Sequence, residues 1–422
     1  MKFATGLEVW LARPPRALRR ARIGLVSHAA AVGADGVGAL DRLCAAGLAP
    51  RAVFAPEHGY WAAGGAGEVI RDDVHPLLRV PIHSLYGARR APAPEMLDAL
   101  DLLLVDLQDL AVRCYTYVST LRDILEAAAA AGKPVIVADR PDPLAAIVDG
   151  PMLDPAHASF VGRIPAPFVY GMTIGETARW LAAALHLDLD LRIAPMRGYR
   201  ADGRRPDRAV WLPPSPGIRT WESAWCYPAT VFCEALPLLR ADRGGPLSFQ
   251  VAAVSRPSKT VAAGFPRLGR PAPPAFQALE TGPTPSRRCP RAARAPSAEI
   301  GPWEALEGLE LPGARLCFHR YRDAGGWIEG ARIAVTDPAA WRPAEAAVRV
   351  LERWQRAFGA AALWEAPGAR PEFFDRLLGE DRTRAALQAG RPADAIVRAW
   401  CTAERRAFER ARANALLYER PR

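Results

Sequence analysis

LLLVDLQD, residues 102–109, is an almost unbroken apolar run that ends in acidic and amide side chains. A strand with one wet face alternates; this one does not, so both of its faces are covered. KPVIVADRPDP (133–143) repeats the pattern and ends in Asp139 and Arg140. ARIGLVSHAA (21–30), RAVFAP (51–56) and RVPIHSLYG (79–87) read as further strands. Helical segments fall between them at 36–47, at PEMLDAL (94–100) and at Thr120–Gly132, two of them stopped by glycine. This alternation predicts an α/β fold whose mostly parallel sheet carries helices on both faces.

Ligands of such sheets sit beyond the C-terminal strand ends. Glu57, Asp106, Asp109 and Asp139 all fall at or just after such ends. They are expected to converge on one crevice.

Farther along, MTIGETARWLAAALH (172–186) opens a helix in which Thr173 and Glu176 have capping-box spacing. LDLRIAPM (189–196) is a strand, and WLPPSPGIRTWESAWCYPAT (211–230) reads as a loop dense in proline and tryptophan. Its aromatics either pack internally or line a groove. Residues 262–300, rich in Pro, Arg and Ala, read as a linker or surface insertion. Strands at 314–321 and 330–337 follow, then helices at Pro343–Phe358, Arg382–Gly390 and Asp394–Leu417. The division expected is a first domain over 1–200, carrying the strand-end carboxylates, and a smaller α/β or α+β domain over 201–422.

The chain of 422 residues is half hydrophobic and carries a formal charge of +10. Lysine stands only at Lys2, Lys133 and Lys259, so the positive charge is almost all arginine, and it is scattered. A nucleic-acid binder gathers its charge on one face or arm; no nucleic-acid partner is expected. Seven cysteines without a CxxC pair suit a reduced compartment. MKFATGLEVWLARPPRALRR lacks a signal-peptide core, and no run reaches the ~20 apolar residues of a membrane span. A cytoplasmic location is the expectation.

GGAG at 64–67 lacks dinucleotide order, and no Walker sequence or G-x-S-x-G elbow occurs. No cofactor is expected. Glu57, His58, His75, Asp106, Asp109 and Asp139 are possible metal ligands, but none forms a strong spacing motif. Carboxylates at strand ends suit glycoside hydrolysis, which uses one protonated carboxyl group and a second as base, nucleophile or charge stabiliser. Glu57, beside Pro56 and near Tyr60 and Trp61, is the first choice for the acid, its pKa raised by poor solvation. The competing reading pins it to Arg113 or Arg140 as a structural ion pair. Gln108, Arg113, Tyr115 and Tyr117 suit a sugar with acetamido and carboxyl groups, with Arg113 and Arg140 as carboxylate grips. The tyrosines serve equally well as helix-to-sheet packing, Asp139-Arg140 as a strand-end pair, and Glu176 as a cap.

These residues sit in a recognisable set: FAPEHG (54–59), AGE (66–68), PIHSLYG (81–87), VDLQDLAVRCYTYVSTL (105–121), ADRPDPL (138–144), VDGPML (148–153), SFVGRIPAPFVYGMTIGETA (159–178), PPSPGIRTWESAWCYPAT (213–230), GARIAVTD (330–337) and FFDRLLG (373–379). With them the chain resembles the DUF1343 family, whose characterised members are exo-β-N-acetylmuramidases of the NamZ type. The resemblance implies a Rossmann-like first domain, a smaller second one and a cleft between them that takes a small glycan or muropeptide. It implies Glu57, His58, Glu68 and Asp109 as catalytic candidates. Asp73, Tyr86, Gln108, Arg113, Tyr115, Tyr117, Asp139, Arg140, Glu176, Ser215, Glu234 and Arg243 are the candidates for substrate binding. Departures are SHAA (27–30) for Asn-x-Thr-Gly, YWAA (60–63) for a glycine-bearing turn, and EALP (234–237) and DRGG (242–245) for Glu-Gly-Thr-Asn and Gly-Arg-Gly-Thr. They leave three expectations: an exo-glycosidase that recycles cell-wall fragments, a protein that binds such fragments with impaired catalysis, or a hydrolase that acts on a different glycoconjugate.

Overall fold

A computed structural model describes residues 2–14, 18, 20–255, 300–323 and 326–421. The expected insertion at 262–300 therefore lies, except for Ile300, outside the described residues. The strands are β1 (Ile23–Ser27), β2 (Ala52–Ala55), β3 (Asp73–Val74), β4 (Pro81–Ser84), β5 (Leu102–Asp106), β6 (Val135–Ala138), β7 (Asp149–Met152), β8 (Pro167–Val169), β9 (Leu191–Ala194), β10 (Leu239–Arg240), β11 (Val251–Ser255), β12 (Ala314–Asp323) and β13 (Gly326–Val335). Seven form the large sheet in the order β3-β4-β2-β1-β5-β6-β9. All its pairings are parallel except that of the short edge strand β3 with β4. Every residue of β1, β2, β5 and β6 is buried, as unbroken apolar runs require when helices cover both faces. Strand order reverses between β1 and β5, which places the ligand crevice at their C-terminal ends.

The smaller sheet is antiparallel, in the order β10-β11-β13-β12. The helix Pro343–Phe358 packs beside it, with Trp354 buried. One apolar core runs from Val26 and Phe54 under the large sheet to Trp341, Phe374 and Leu377. Both parts of the chain thus rest on common buried surface.

Two local expectations change. The segment 211–230 is not all loop, because Trp221–Thr230 is helical, opened by the Thr220 side chain accepting from Ser223 N at 3.1 Å. Proline dominates the first half of the segment and masked that start. Trp221 and Trp225 both donate Nε1–H to the Gly203 carbonyl, so these indoles pack internally. The last helix expected splits into Ala393–Ala399 and Ala403–Ala413, since Thr402 caps a new helix on Arg405 N.

Candidate active site

Strand β2 ends at Ala55, and the chain turns sharply through Pro56, Glu57 and His58. His58 and Gly59 have φ of 70° and 74°. A left-handed histidine costs energy that surrounding contacts must repay, and such strain gathers at functional sites. Here Nδ1 of His58 bonds the Gly64 carbonyl at 2.7 Å, and Ala29 N of the loop after β1 holds the Tyr60 carbonyl at 2.6 Å. The turn lifts the Glu57 carboxyl group to the sheet's C-terminal edge, 6 % exposed.

There it borders a cavity of about 420 Å³. The walls include His58, Ala66 and Gly67 from the loop after β2, Tyr86 from the loop after β4, and Cys114, Tyr115 and Thr116 from the loop after β5. Ser215, Tyr227, Glu234, Arg243, Phe249, Arg370 and Phe373 complete them from later in the chain. Two donors fix Glu57: Thr116 Oγ1 gives Oε2 a hydrogen bond of 2.6 Å, and Gly67 N gives Oε1 one of 2.8 Å. Behind it, the Tyr117 hydroxyl donates to the Pro214 carbonyl at 2.6 Å and lies 3.3 Å from the Glu57 carbonyl. The Tyr115 hydroxyl is buried on the cavity wall beside Ser215 and Tyr117. Burial, then the Glu57 charge, raises the Tyr86 phenol above its ordinary value.

Glu234 ends a short 3₁₀ turn, Val231–Glu234, and is the second carboxyl group on the wall. Burial raises its pKa; the charges of Arg243 and Arg370 oppose this, and that of Glu57 adds to it. Arg243 Nη2 stands 3.3 Å from Glu234 Oε1. Arg370 donates Nη2–H to the Glu234 carbonyl and lies 4.5 Å from the Phe373 ring centre. Where the resemblance calls for threonine, Leu236 is fully buried in the core.

Seven of the expected residues therefore meet: Glu57, His58, Tyr86, Tyr115, Ser215, Glu234 and Arg243. The others lie elsewhere. Asp109, expected at the crevice, is buried behind it, because residues 107–112 turn inward and pack in the core. Its Oδ2 accepts from the Tyr170 hydroxyl, and burial pushes its pKa up to about 7. Gln108 spans the Pro141 carbonyl (2.8 Å) and Arg140 Nε (3.2 Å). Arg140 pairs with buried Asp106 at 3.0 Å, and Asp139 accepts from Thr173, Gly175 and Tyr418. Glu176 closes the capping box with Thr173 and pairs with Arg420. Asp106, Asp109 and Asp139 thus do not join Glu57 on the cavity wall, because each is buried and held by partners from other segments of the chain.

Arg113 is not a carboxylate grip. It is fully buried and donates to the carbonyls of Pro151, Ala166 and Leu378. The expected ion pair of Glu57 with Arg113 or Arg140 is accordingly absent among the described residues. Tyr117 supports the Glu57 backbone from outside the cavity. Glu68 is exposed and holds Gly65 N at 2.7 Å, and Asp73 lines a neighbouring hollow. Thr116, Gly67, Arg370 and Phe373 escaped the sequence reading. Thr116 stood inside a quoted motif, whereas Arg370 carries no local signal. No three His, Cys, Asp or Glu side chains gather as a metal-holding group among the described residues. No helix there is long and apolar enough to cross a membrane.

A Rossmann-like sheet, an antiparallel companion and a polar cavity fed by both agree with the sequence comparisons. The N-terminal profile described as exo-beta-N-acetylmuramidase NamZ matches residues 23–222, and its C-terminal counterpart matches residues 297–418. The chain belongs to this NamZ family. It is 37 % identical over 236 residues to the peptidoglycan beta-N-acetylmuramidase NamZ of Bacillus subtilis (strain 168); the match spans 55 % of this chain and 57 % of that protein, little more than half of each. A DUF1343 family protein from Bacteroides fragilis NCTC 9343 shares the fold over 99 % of both chains, with a TM-score of 0.80 and 25 % identity. A second one from the same organism superposes over 100 % of both, with a TM-score of 0.67 and 22 % identity.

Proposed function

We propose that the protein is an exo-acting glycoside hydrolase that releases N-acetylmuramic acid, or a closely related sugar, from the non-reducing end of peptidoglycan fragments. The observation that carries this reading is the shared cavity: two carboxyl groups, Glu57 and Glu234, with two arginines, Arg243 and Arg370, on one wall system. Glu57 acts as proton donor to the glycosidic oxygen, held in place by Thr116 and Gly67. Glu234 is the second carboxyl group that the reaction uses. When one acid holds its proton, the cavity has one positive charge more than it has negative ones. A sugar bearing a carboxylate balances that charge, and arginine is the side chain suited to gripping it. A pocket of this size favours a terminal unit over the middle of a long chain. Recycling of wall fragments in the cytoplasm is the setting in which we place this activity.

The test is incubation of the purified chain with a muramyl disaccharide and identification of the products by mass spectrometry. Free N-acetylmuramic acid is expected, and Glu57→Gln should abolish its release. A second reading, fragment binding without turnover, draws on the apolar residues at 235–237. Tight binding by calorimetry with no product from the unaltered chain would select it and sink the first.

A further inference from the structure

Beside the main cavity lies a second hollow of about 190 Å³, on the other side of His58, which borders both. Its lining includes Trp61, Arg71, Asp73 and Ser84. Trp61 belongs to the YWAA segment that departs from the family pattern, and the proposed reaction does not use it. Trp61 is 48 % exposed. It is nevertheless fixed, by an edge contact with Tyr60 (4.9 Å between ring centres) and a tilted one with His75 (5.3 Å). Holding an aromatic surface still while leaving half of it wet preserves a flat, amphipathic platform.

The polar groups of the hollow narrow the ligand class. Arg71 is exposed and makes no ion pair among the described residues. Asp73 uses Oδ1 on its own neighbour, Val74 N, at 2.8 Å. The adjacent Asp72, by contrast, is occupied by Arg89, His83 and Ser84 N. One donor-only side chain and one acceptor-only side chain, of opposite charge, share the hollow with the indole. An anion would be repelled by Asp73 and a cation by Arg71. A neutral ring rich in hydroxyl groups, with an apolar C–H face, satisfies all three.

We propose that the Trp61–Arg71–Asp73 hollow is a second carbohydrate site, which receives the neutral sugar unit on the leaving side of the bond cleaved beside Glu57. The placement on the leaving side rests on the hydrolase reading above; the affinity for a neutral sugar does not. His58, shared by the two hollows, stands between the reacting unit and this one.

The experiment compares two substrates on the full chain: a muramyl disaccharide, whose leaving unit is N-acetylglucosamine, and the methyl β-glycoside of N-acetylmuramic acid, whose leaving group is too small to reach Trp61. Trp61→Ala should lower kcat/KM for the disaccharide about tenfold and leave the methyl glycoside unchanged, with Trp61→Phe intermediate. Equal loss on both substrates, or no loss on either, overturns the proposal. Arg71→Ala reads the same ratio should Trp61→Ala fail to fold. Quenching of tryptophan fluorescence by free N-acetylglucosamine, lost in Trp61→Phe, separates the two ideas. If the chain cleaves neither substrate but still shows this quenching, the hydrolase reading fails and the sugar site stands. If it cleaves both without quenching or a substrate-dependent loss, the second site fails and the hydrolase stands.

Discussion

Thr116 donates its hydroxyl hydrogen to Oε2 of Glu57 at 2.6 Å, across a separation of 59 residues. The bond joins the loop after β5 to the loop after β2, so the reacting carboxyl group is oriented by a neighbouring strand as well as its own. Thr116→Val keeps the shape and removes the donor. We expect kcat to fall ten- to a hundredfold with KM changed less than threefold, measured on a muramyl disaccharide. A change confined to KM would mean that Thr116 merely shapes the pocket.

Arg370 reaches the cavity from the C-terminal part of the chain and braces the Glu234 carbonyl. If it and Arg243 read a sugar carboxylate, Arg370→Ala should raise KM for muramyl substrates at least tenfold. The corresponding glucosamine substrates, which lack the carboxylate, should respond little. Loss of this selectivity is the signature to look for, and Arg370→Lys should restore it only partly.

Gly379 stands against the buried Arg113 guanidinium with φ of 88°, and a Cβ there would overlap that side chain. Gly379→Ala therefore adds backbone strain to a clash at the seam between the two parts of the chain. It should destabilise the protein by on the order of 3 kcal/mol, read by chemical denaturation. Arg113→Met should do comparable harm by leaving the Ala166 and Leu378 carbonyls without their donor.

Asp109 offers a pH test. Burial lifts its carboxyl group from 3.8 to about 7 in the folded chain. The folded state thus binds this proton more tightly than the unfolded chain does. The resulting contribution is complete below about 4 and is lost as pH rises through about 7. Asp109→Asn should be more stable than the unaltered protein at pH 8, with little gain at pH 4. Denaturation midpoints at the two pH values check this, and an equal shift at both would contradict it.

The strands were legible because burial on both faces leaves no room for polar alternation, as β1, β2, β5 and β6 show. Glu57 was legible for a related reason: Pro-Glu-His-Gly cannot continue a buried strand, so it must surface at the strand's end. Asp106, Asp109 and Asp139 carried the same local signature and went elsewhere. What separates them from Glu57 is whether the following loop turns outward or into the core, a tertiary choice that periodicity does not record. The arginines teach the same lesson. Arg113 stands amid the densest polar motif yet spends its donors on carbonyls, whereas Arg370, in an unremarked stretch, reaches the cavity. An arginine's role depends on which acceptors lie within its reach, and those acceptors come from distant sequence.

The seam that Arg113 fastens has a practical meaning for anyone screening variants. Glu57 and Arg370 reach the cavity from opposite halves of the polypeptide, so a lesion that only loosens the joint would separate them while each half kept its own secondary structure. Such a variant would look healthy by circular dichroism and dead by assay. A survey that equates silence with a damaged reacting group would file it under the wrong cause.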